Sequence, residues 1–328
     1  MITYGRRPTS RGRATRRQLP WRVVLDVVIV SYRSRQMLRE CLESLREYPP
    51  VGGLRITVVD NASGDGTADV VREFSEVRLI ELEENVGFSR ANNLVLRETT
   101  AEYVLVLNPD TLLCEGTLDV LLRLMADDSR IGIAGCRLVQ EDGTFDHAAR
   151  RSFPTPASAL GHFLRVGRSD RAPASLAAYR APDVGEGPVD AVNGAFMLMR
   201  REMLDDIGLF DEAYWMYMED LDLCYRAARA GWTTWYEPSV SAVHIKAGTS
   251  GRHRRLRLNY AFHYGMYRYY HTHLAPQRNA AFNVLVYSGI ALKFLASATV
   301  SAVARGGARF DRTFSQRPHP ATDRPRAT

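Results

Sequence analysis

Hydrophobic and polar positions alternate in blocks along this chain. VVLDVVIVSY (Val23–Tyr32) is a short β-branched run, the pattern of a strand buried on both faces. RSRQMLRECLESLREY follows, with Leu38, Cys41, Leu42 and Leu45 at helical spacing. Three more buried strands are predicted at Leu54–Asp60, Val77–Leu82 and Tyr103–Asn108, with helical stretches at Thr67–Phe74 and Ser89–Arg97 between them. Such alternation predicts a parallel sheet with crossover helices, whose ligands bind beyond the carboxyl ends of the strands. Polar residues sit at those ends: Tyr32, Asp60, Asn85 and Asp110.

After a helix at TLDVLLRLMADD, the segment from Asp142 to Pro188 is rich in Pro, Gly, Ser and Arg. It reads as a long excursion on the acceptor side. VDAVNGAFMLMR predicts a strand, and MEDLDLCYRAARAG a helix stopped by Gly231. Arg252 to His273 is dense in Arg, His and Tyr. Ala280 to Val303 is apolar for about the length of a membrane span. Lys293, Asn283, Ser288 and Thr299 favour an interfacial helix over a simple span, and a core helix is the third option.

Charge changes this picture at the ends only. The net +6 of the 328 residues is peripheral: residues 1–24 hold seven Arg and no acid, and residues 305–328 six Arg against Asp311 and Asp323. The body between them is acidic, and the tails are too polar to fold alone. They suit an anionic surface, or are solvated termini. Four scattered cysteines without a C-x-x-C pair read as free thiols in a reducing compartment. No signal peptide is visible at the Arg-rich start.

The candidate chemistry lies in four places. In VVDNASGDGT, Asp60 can accept hydrogen bonds from a pyrimidine or ribose while Gly64 and Gly66 close the turn, although the same string also makes an ordinary surface turn. In ENVGFSRANN, Gly87 permits close backbone approach and Arg90 can meet a diphosphate; Asn92 and Asn93 either cap or line the helix. In VLNPDT, Asp110 can hold a hard divalent cation together with substrate phosphates, or cap a helix beginning near Thr111. His244 either completes that coordination or is a hydrogen-bonded core residue. Finally, Glu219 and Asp220 open a helix behind Trp215, Met216, Tyr217 and Met218, where a carboxylate is a natural general base. Asp222 is expected to face solvent or a basic neighbour.

The ordered set SYRS, VVDN-S-DGT, NVGFSRANN, LNPDT, GAFMLMRREMLDDIGLFDE, YMEDLDLCYRAARAGW and VHIK, spread over residues 25–250, resembles family 2 glycosyltransferases of the GT-A fold. Within them it is most similar to bacterial rhamnosyltransferases that use dTDP-rhamnose and lipid-linked acceptors. The resemblance implies that Tyr32, Asp60 and Arg90 bind the nucleotide, with Asn85, Gly87 and Asn108 in the donor site. It implies that Asp110 and His244 hold Mg²⁺ or Mn²⁺, that Asp220 is the base and Glu219 its partner, and that Lys246 and Arg252 contact phosphate. Two departures matter: Asn108 stands at the first acid of the generic metal motif, and Ile245 follows His244 where relatives often have a second histidine.

The resulting expectation is an α/β GT-A domain of two halves, a nucleotide-sugar half at 25–135 and an acceptor half at 136–250. A helical membrane-associating extension follows at 251–304, with basic tails at 1–24 and 305–328. The implied activity is inverting, metal-dependent transfer from a dTDP-sugar (or UDP-sugar) to a polyprenyl-diphosphate-linked or glycan acceptor in cell-envelope synthesis. It would take place at the cytoplasmic membrane surface, without nucleic acid; homodimerisation is left open. The alternatives are a UDP-sugar enzyme (galactofuranose or N-acetylglucosamine) and, from another class, a non-catalytic scaffold or nucleic-acid binder.

Overall fold

The computed structural model describes residues 25–154, 185–245 and 256–315, with side chains described as far as residue 300. Lys246, Arg252 and both basic tails beyond residues 25 and 315 lie outside the described residues. β1 (Leu25–Ser31) is buried at every position, including Asp26, whose carboxylate accepts from Arg55 at 2.7 Å. α1 (Arg35–Glu47) buries Leu38, Cys41, Leu42 and Leu45, the stripe read from the sequence. β1 pairs in parallel with β2 (Leu54–Asp60) and with β4 (Tyr103–Leu107), and β2 in parallel with β3 (Val77–Glu81). The crossovers are α2 (Thr67–Arg72) and α3 (Phe88–Leu96).

The remaining chain extends the same sheet. It runs through β5 (Thr111–Leu113), α4 (Thr117–Asp127), β6 (Ile131–Val139), β7 (Arg150–Arg151), β8 (Gly187–Pro188), β9 (Ala191–Val192) and β10 (Phe196–Arg200). Then come α5 (Arg201–Ile207), α6 (Glu219–Arg229) and β11 (Thr233–His244). The order across the sheet is β3-β2-β1-β4-β10-β6-β11-β5, with β8 also on β11, while β7 and β9 form a separate two-stranded ribbon. β10 is antiparallel to both neighbours and β5 is antiparallel to β11, so the sheet is mixed but mostly parallel. The expected division at 135/136 falls inside β6, which means both halves share one sheet.

Two expectations change. Thr111 opens the short strand β5 and not a helix; the next helix starts at Thr117 behind Gly116 at φ 74°, so Asp110 is no helix cap. VDAVNGAFMLMR divides into β9 and β10 around a turn at Asn193–Ala195.

The C-terminal helices are α7 (Leu256–Tyr269) and α8 (Ala280–Ser315), joined by a π turn at Tyr270–Leu274 and a 3-10 turn at Ala275–Gln277. α7 lies against the loop ahead of α6, so closely that a Cβ on Gly265 would sit 2.9 Å from the Tyr217 carbonyl oxygen. α8 is not a core helix. Its apolar span, Ala280–Val300, has no buried residue, and Val284, Leu285, Leu292, Leu295 and Val300 are more than half exposed. Two of its polar side chains turn inward instead: Asn283 accepts from the Tyr270 hydroxyl at 2.6 Å and Ser297 donates to Asn259 at 3.0 Å. The helix is thus amphipathic in the inverted sense, apolar side out.

Candidate active site

The loops after β1, β2 and β3 are knitted together. Asn61 N–H donates to Ser31 O (2.9 Å), and Arg33 N–H to the Ser63 hydroxyl (3.0 Å). Asp60, buried at the end of β2, accepts from Ser63 N–H at 3.0 Å. It borders a cleft of about 480 Å³ whose walls include Ala62, Ser63, Gly64, Gly66, Leu82 and Glu83, but neither Asp110 nor Asp220. Tyr32 is half-buried at the end of β1, with the Arg33 guanidinium over its ring.

Asn85 and Gly87 shape the site by holding its backbone. Asn85 Oδ1 accepts from Gly87 N–H (3.1 Å) and from Asn61 Nδ2 (3.3 Å), while Asn61 Oδ1 accepts from Val86 N–H (2.9 Å). Gly87 has φ 90°, and any Cβ there would collide with the backbone carbonyl of Trp215, which accepts from Phe88 N–H at 2.7 Å. This contact ties the donor-side loop to the aromatic run ahead of α6. Asn92 and Asn93 are structural: Asn92 bonds the Phe88 carbonyl, and Asn93 the Phe210 carbonyl and Glu212. Arg90 is exposed on α3.

The end of β4 meets the end of β11. His244 pairs in register with Thr111, and Ile245 N–H donates to the Asp110 carbonyl at 2.9 Å. Backbone pairing therefore brings the Asp110 carboxylate to the imidazole: Oδ1 lies 3.5 Å from His244 Nε2 and accepts no hydrogen bond although buried. The other ring nitrogen, Nδ1, is 3.0 Å from Oδ2 of Asp146, itself 1% exposed. Burial alone would lower the imidazole pKa, but the two neighbouring carboxylates outweigh it and raise it to about 9, so a cation binding at Nε2 would displace a proton. A carboxylate orienting one nitrogen of a histidine while the other faces a bare carboxylate oxygen is a donor set that fits a divalent cation. A cation held by these two side chains would take its remaining positions from phosphate oxygens and water. Among the described residues no group of three or more His, Cys, Asp or Glu is placed to hold a metal ion by itself. Asn108 contributes backbone, its N–H donating to Ala195 O at 2.9 Å and its carbonyl accepting from Thr111 N–H.

That Asn108–Ala195 bond leads to the carboxylate pair. Gly194, next to Ala195, donates its N–H to Asp220 Oδ2 at 3.0 Å. Arg151 of β7 donates to the same oxygen, and Leu221 N–H donates to Oδ1 at 2.8 Å. Asp220 is thus anchored at the N-terminus of α6, where the helix dipole favours an anion. Glu219 is equally buried, but its Oε2 accepts nothing. Burial, and then the neighbouring Asp220 charge, push its carboxyl up to about 8, so near neutral pH it carries a proton. The pair is preceded by Tyr217 and Met218, both non-glycine residues at positive φ (72° and 73°), a strained entry of the kind that collects at functional sites.

A pH effect follows. Glu219 ionises near 4.5 when unfolded and near 8 when folded, so the folded chain binds the extra proton between those values, and stability falls as pH rises through that window. Glu219→Gln, a neutral mimic, should leave Tm unchanged at pH 4 and raise it at pH 8, by about 2–4 °C for each kcal/mol relieved. Thermal melts at the two pH values check this; an equal shift at both would contradict it.

Several site residues were not picked out from the sequence. Asp146 and Arg151 sit in the Pro/Gly/Ser/Arg-rich excursion, where no periodicity separates them from surface charges. Asp222 follows the second of its two expectations: 2% exposed, it bonds the basic neighbours Arg226 (2.8 Å) and His273 Nε2 (2.7 Å). Burial pushes its carboxyl up, but those partners prevail and hold it below the usual range. His273 comes from the C-terminal extension, so the helix bearing the carboxylate pair is clasped from outside the 25–250 region.

A mixed, mostly parallel sheet with nucleotide-type loops at its carboxyl edge and an Asp/His pair beside a carboxylate dyad defines a GT-A glycosyltransferase fold. The family model for glycosyl transferase family 2 matches residues 26–208, and the chain belongs to that family. It is 32% identical over 246 residues to the N-acetylglucosaminyl-diphospho-decaprenol L-rhamnosyltransferase of Mycobacterium tuberculosis, covering 70% of this chain and 78% of that one. It is 24% identical to rhamnosyltransferase WbbL of Escherichia coli K12, covering 66% and 82%. In structure it resembles a mannosyltransferase from Pyrobaculum calidifontis in complex with GDP-Man and Mn²⁺, at TM-score 0.54 and 20% identity, with 88% of this chain and 80% of that chain covered. The chain is accordingly a glycosyltransferase.

Proposed function

We propose that this enzyme transfers rhamnose from dTDP-rhamnose, with inversion, to a hydroxyl of a polyprenyl-diphosphate-linked acceptor in cell-envelope glycan synthesis. The observation that carries the substrate assignment is the 32% identity to a transferase named for a decaprenol-diphosphate acceptor. Asp220 takes the acceptor hydroxyl's proton as that oxygen attacks the anomeric carbon and the nucleoside diphosphate leaves. Asp110 and His244 would hold Mg²⁺ or Mn²⁺, which supplies charge neutralisation of the departing diphosphate. Asp60 and Tyr32 flank the nucleoside, and Asn85 and Gly87 keep the donor loop closed on Trp215. Arg90, Lys246 and Arg252 remain proposed phosphate contacts.

Incubation with dTDP-rhamnose, Mn²⁺ and N-acetylglucosaminyl-diphospho-polyprenol tests the reading, with a rhamnosylated lipid expected by mass spectrometry. Consumption of UDP-galactofuranose or UDP-N-acetylglucosamine in its place would establish the UDP-sugar alternative.

The same reading places the protein on the inner face of the cell membrane, peripherally. The supporting observation is α8, whose outward side chains (Ala281, Val284, Leu285, Ser288, Leu292, Leu295) recur at helical spacing over an apolar span about 31 Å long. Each large side chain entering lipid gains about 1 kcal/mol or more. Replacing Leu285 and Leu292 together by Asp should abolish cosedimentation with zwitterionic vesicles, which offer the basic tails no net charge to bind, while nucleotide affinity is retained. Equal sedimentation of variant and wild type would count against an interfacial helix.

A further inference from the structure

Two adjacent carboxyls, equally buried, receive unequal treatment from the chain. Asp220 accepts three hydrogen bonds, from Arg151, Gly194 N–H and Leu221 N–H; Glu219 Oε2 accepts none. Of those three donors only Arg151 carries charge. Its side chain is 13% exposed and that of Asp220 10%, so their attraction is little screened by water. The same guanidinium nitrogen also donates to Val192 O at 2.9 Å, which fixes it to β9 across the β7–β9 ribbon.

We propose that Arg151 is a positioning residue for glycosyl transfer: it holds Asp220 as the anion of the Glu219–Asp220 pair and aims it, and so selects which carboxyl acts as base. The inference rests on Asp220 being the base, as above. Two like charges forced together in a buried site cannot both ionise readily, and a single cation placed on one of them decides the order. The other ionisable neighbours do not make this choice. Cys224 lies on the same helix and is neutral, its thiol pushed up by burial, while Asp222 is committed to Arg226 and His273. From the β9 side the contacts are backbone, Val192 O on Arg151 and Gly194 N–H on Asp220. With Arg151 in place, Asp220 stays ready to accept a proton, and Glu219, holding one, adds no second negative charge beside it.

The test is the pH profile of kcat/KM for wild type, Arg151→Gln and Arg151→Lys, together with carboxyl ¹³C NMR titration of the same proteins. Losing an opposite charge at this range raises a carboxyl pKa by about 1–3 units. Arg151→Gln should therefore move the acid limb of the profile up by about that amount, with donor KM unchanged and the Asp220 carboxyl resonance titrating correspondingly higher. Arg151→Lys should restore most of the limb. A folded Arg151→Gln protein with an unmoved limb and unmoved Asp220 titration overturns the proposal. So does a raised donor KM with an unmoved limb, which would make Arg151 a substrate contact. The NMR titration needs no turnover, so it decides the role of Arg151 at Asp220 even if no donor in the panel is consumed, an outcome that would sink only the proposed substrate.

Discussion

Asp220→Asn is expected to reduce kcat by about 10²–10⁴-fold, the usual contribution of a positioned general base. Nucleotide binding should be preserved, because Asp220 bonds Arg151 and the Gly194 and Leu221 N–H groups rather than the loops around Asp60. The amide keeps the shape of the carboxylate and can still accept from Gly194 or Leu221 N–H, but it cannot take a proton. It also leaves Arg151 facing a neutral group, and breaking a buried ion pair can cost about 3–5 kcal/mol. A thermal melt must therefore accompany the kinetics, and the comparison belongs at a temperature where the variant is folded. Glu219→Gln is the internal control: it mimics the protonated side chain and should retain much of the activity near neutral pH. If Asp220→Asn turns over well while Glu219→Gln is dead, the roles within the pair are reversed.

The fold was legible because its first half is written in short, mostly apolar runs separated by helical stretches. β1, β2 and β4 are the strands that Val23–Tyr32, Leu54–Asp60 and Tyr103–Asn108 predict, and the loops at their carboxyl ends carry Asp60 and Asp110. The pairing of the last strands was less legible. Nothing local in LNPDT says that Thr111 starts an edge strand; its partner His244 lies far along the chain, and only their register brings Asp110 and His244 together. The clasp on the base was also hidden, since Arg151 is one of two adjacent arginines in a stretch without periodicity and meets Asp220 across a sequence gap of 69 residues. α8 posed the opposite difficulty. Its composition fits a span, an interfacial helix or a core helix alike, and the exposure of Val284, Leu285, Leu292 and Leu295 removes the core option.

Asp110→Ala is expected to remove the metal dependence of donor binding and with it most transfer. Asp110 Oδ1 is buried, accepts no hydrogen bond and faces His244 Nε2 at 3.5 Å, so alanine deletes the one bare carboxylate oxygen at that point. Calorimetric titration with the nucleoside diphosphate should show Mn²⁺ strengthening binding to wild type and leaving the variant unaffected. Asp146→Asn should act by a different route and less severely. It leaves both proposed ligands in place and only weakens the hold on His244 Nδ1, a change that typically lowers metal affinity by about 10–100-fold without removing it. The order wild type, Asp146→Asn, Asp110→Ala in Mn²⁺ response is thus the signature of a cation held between Asp110 and His244. Equal responses in all three would place the metal elsewhere, and the Asp110–His244–Asp146 chain would then be a purely structural link between β5 and β11.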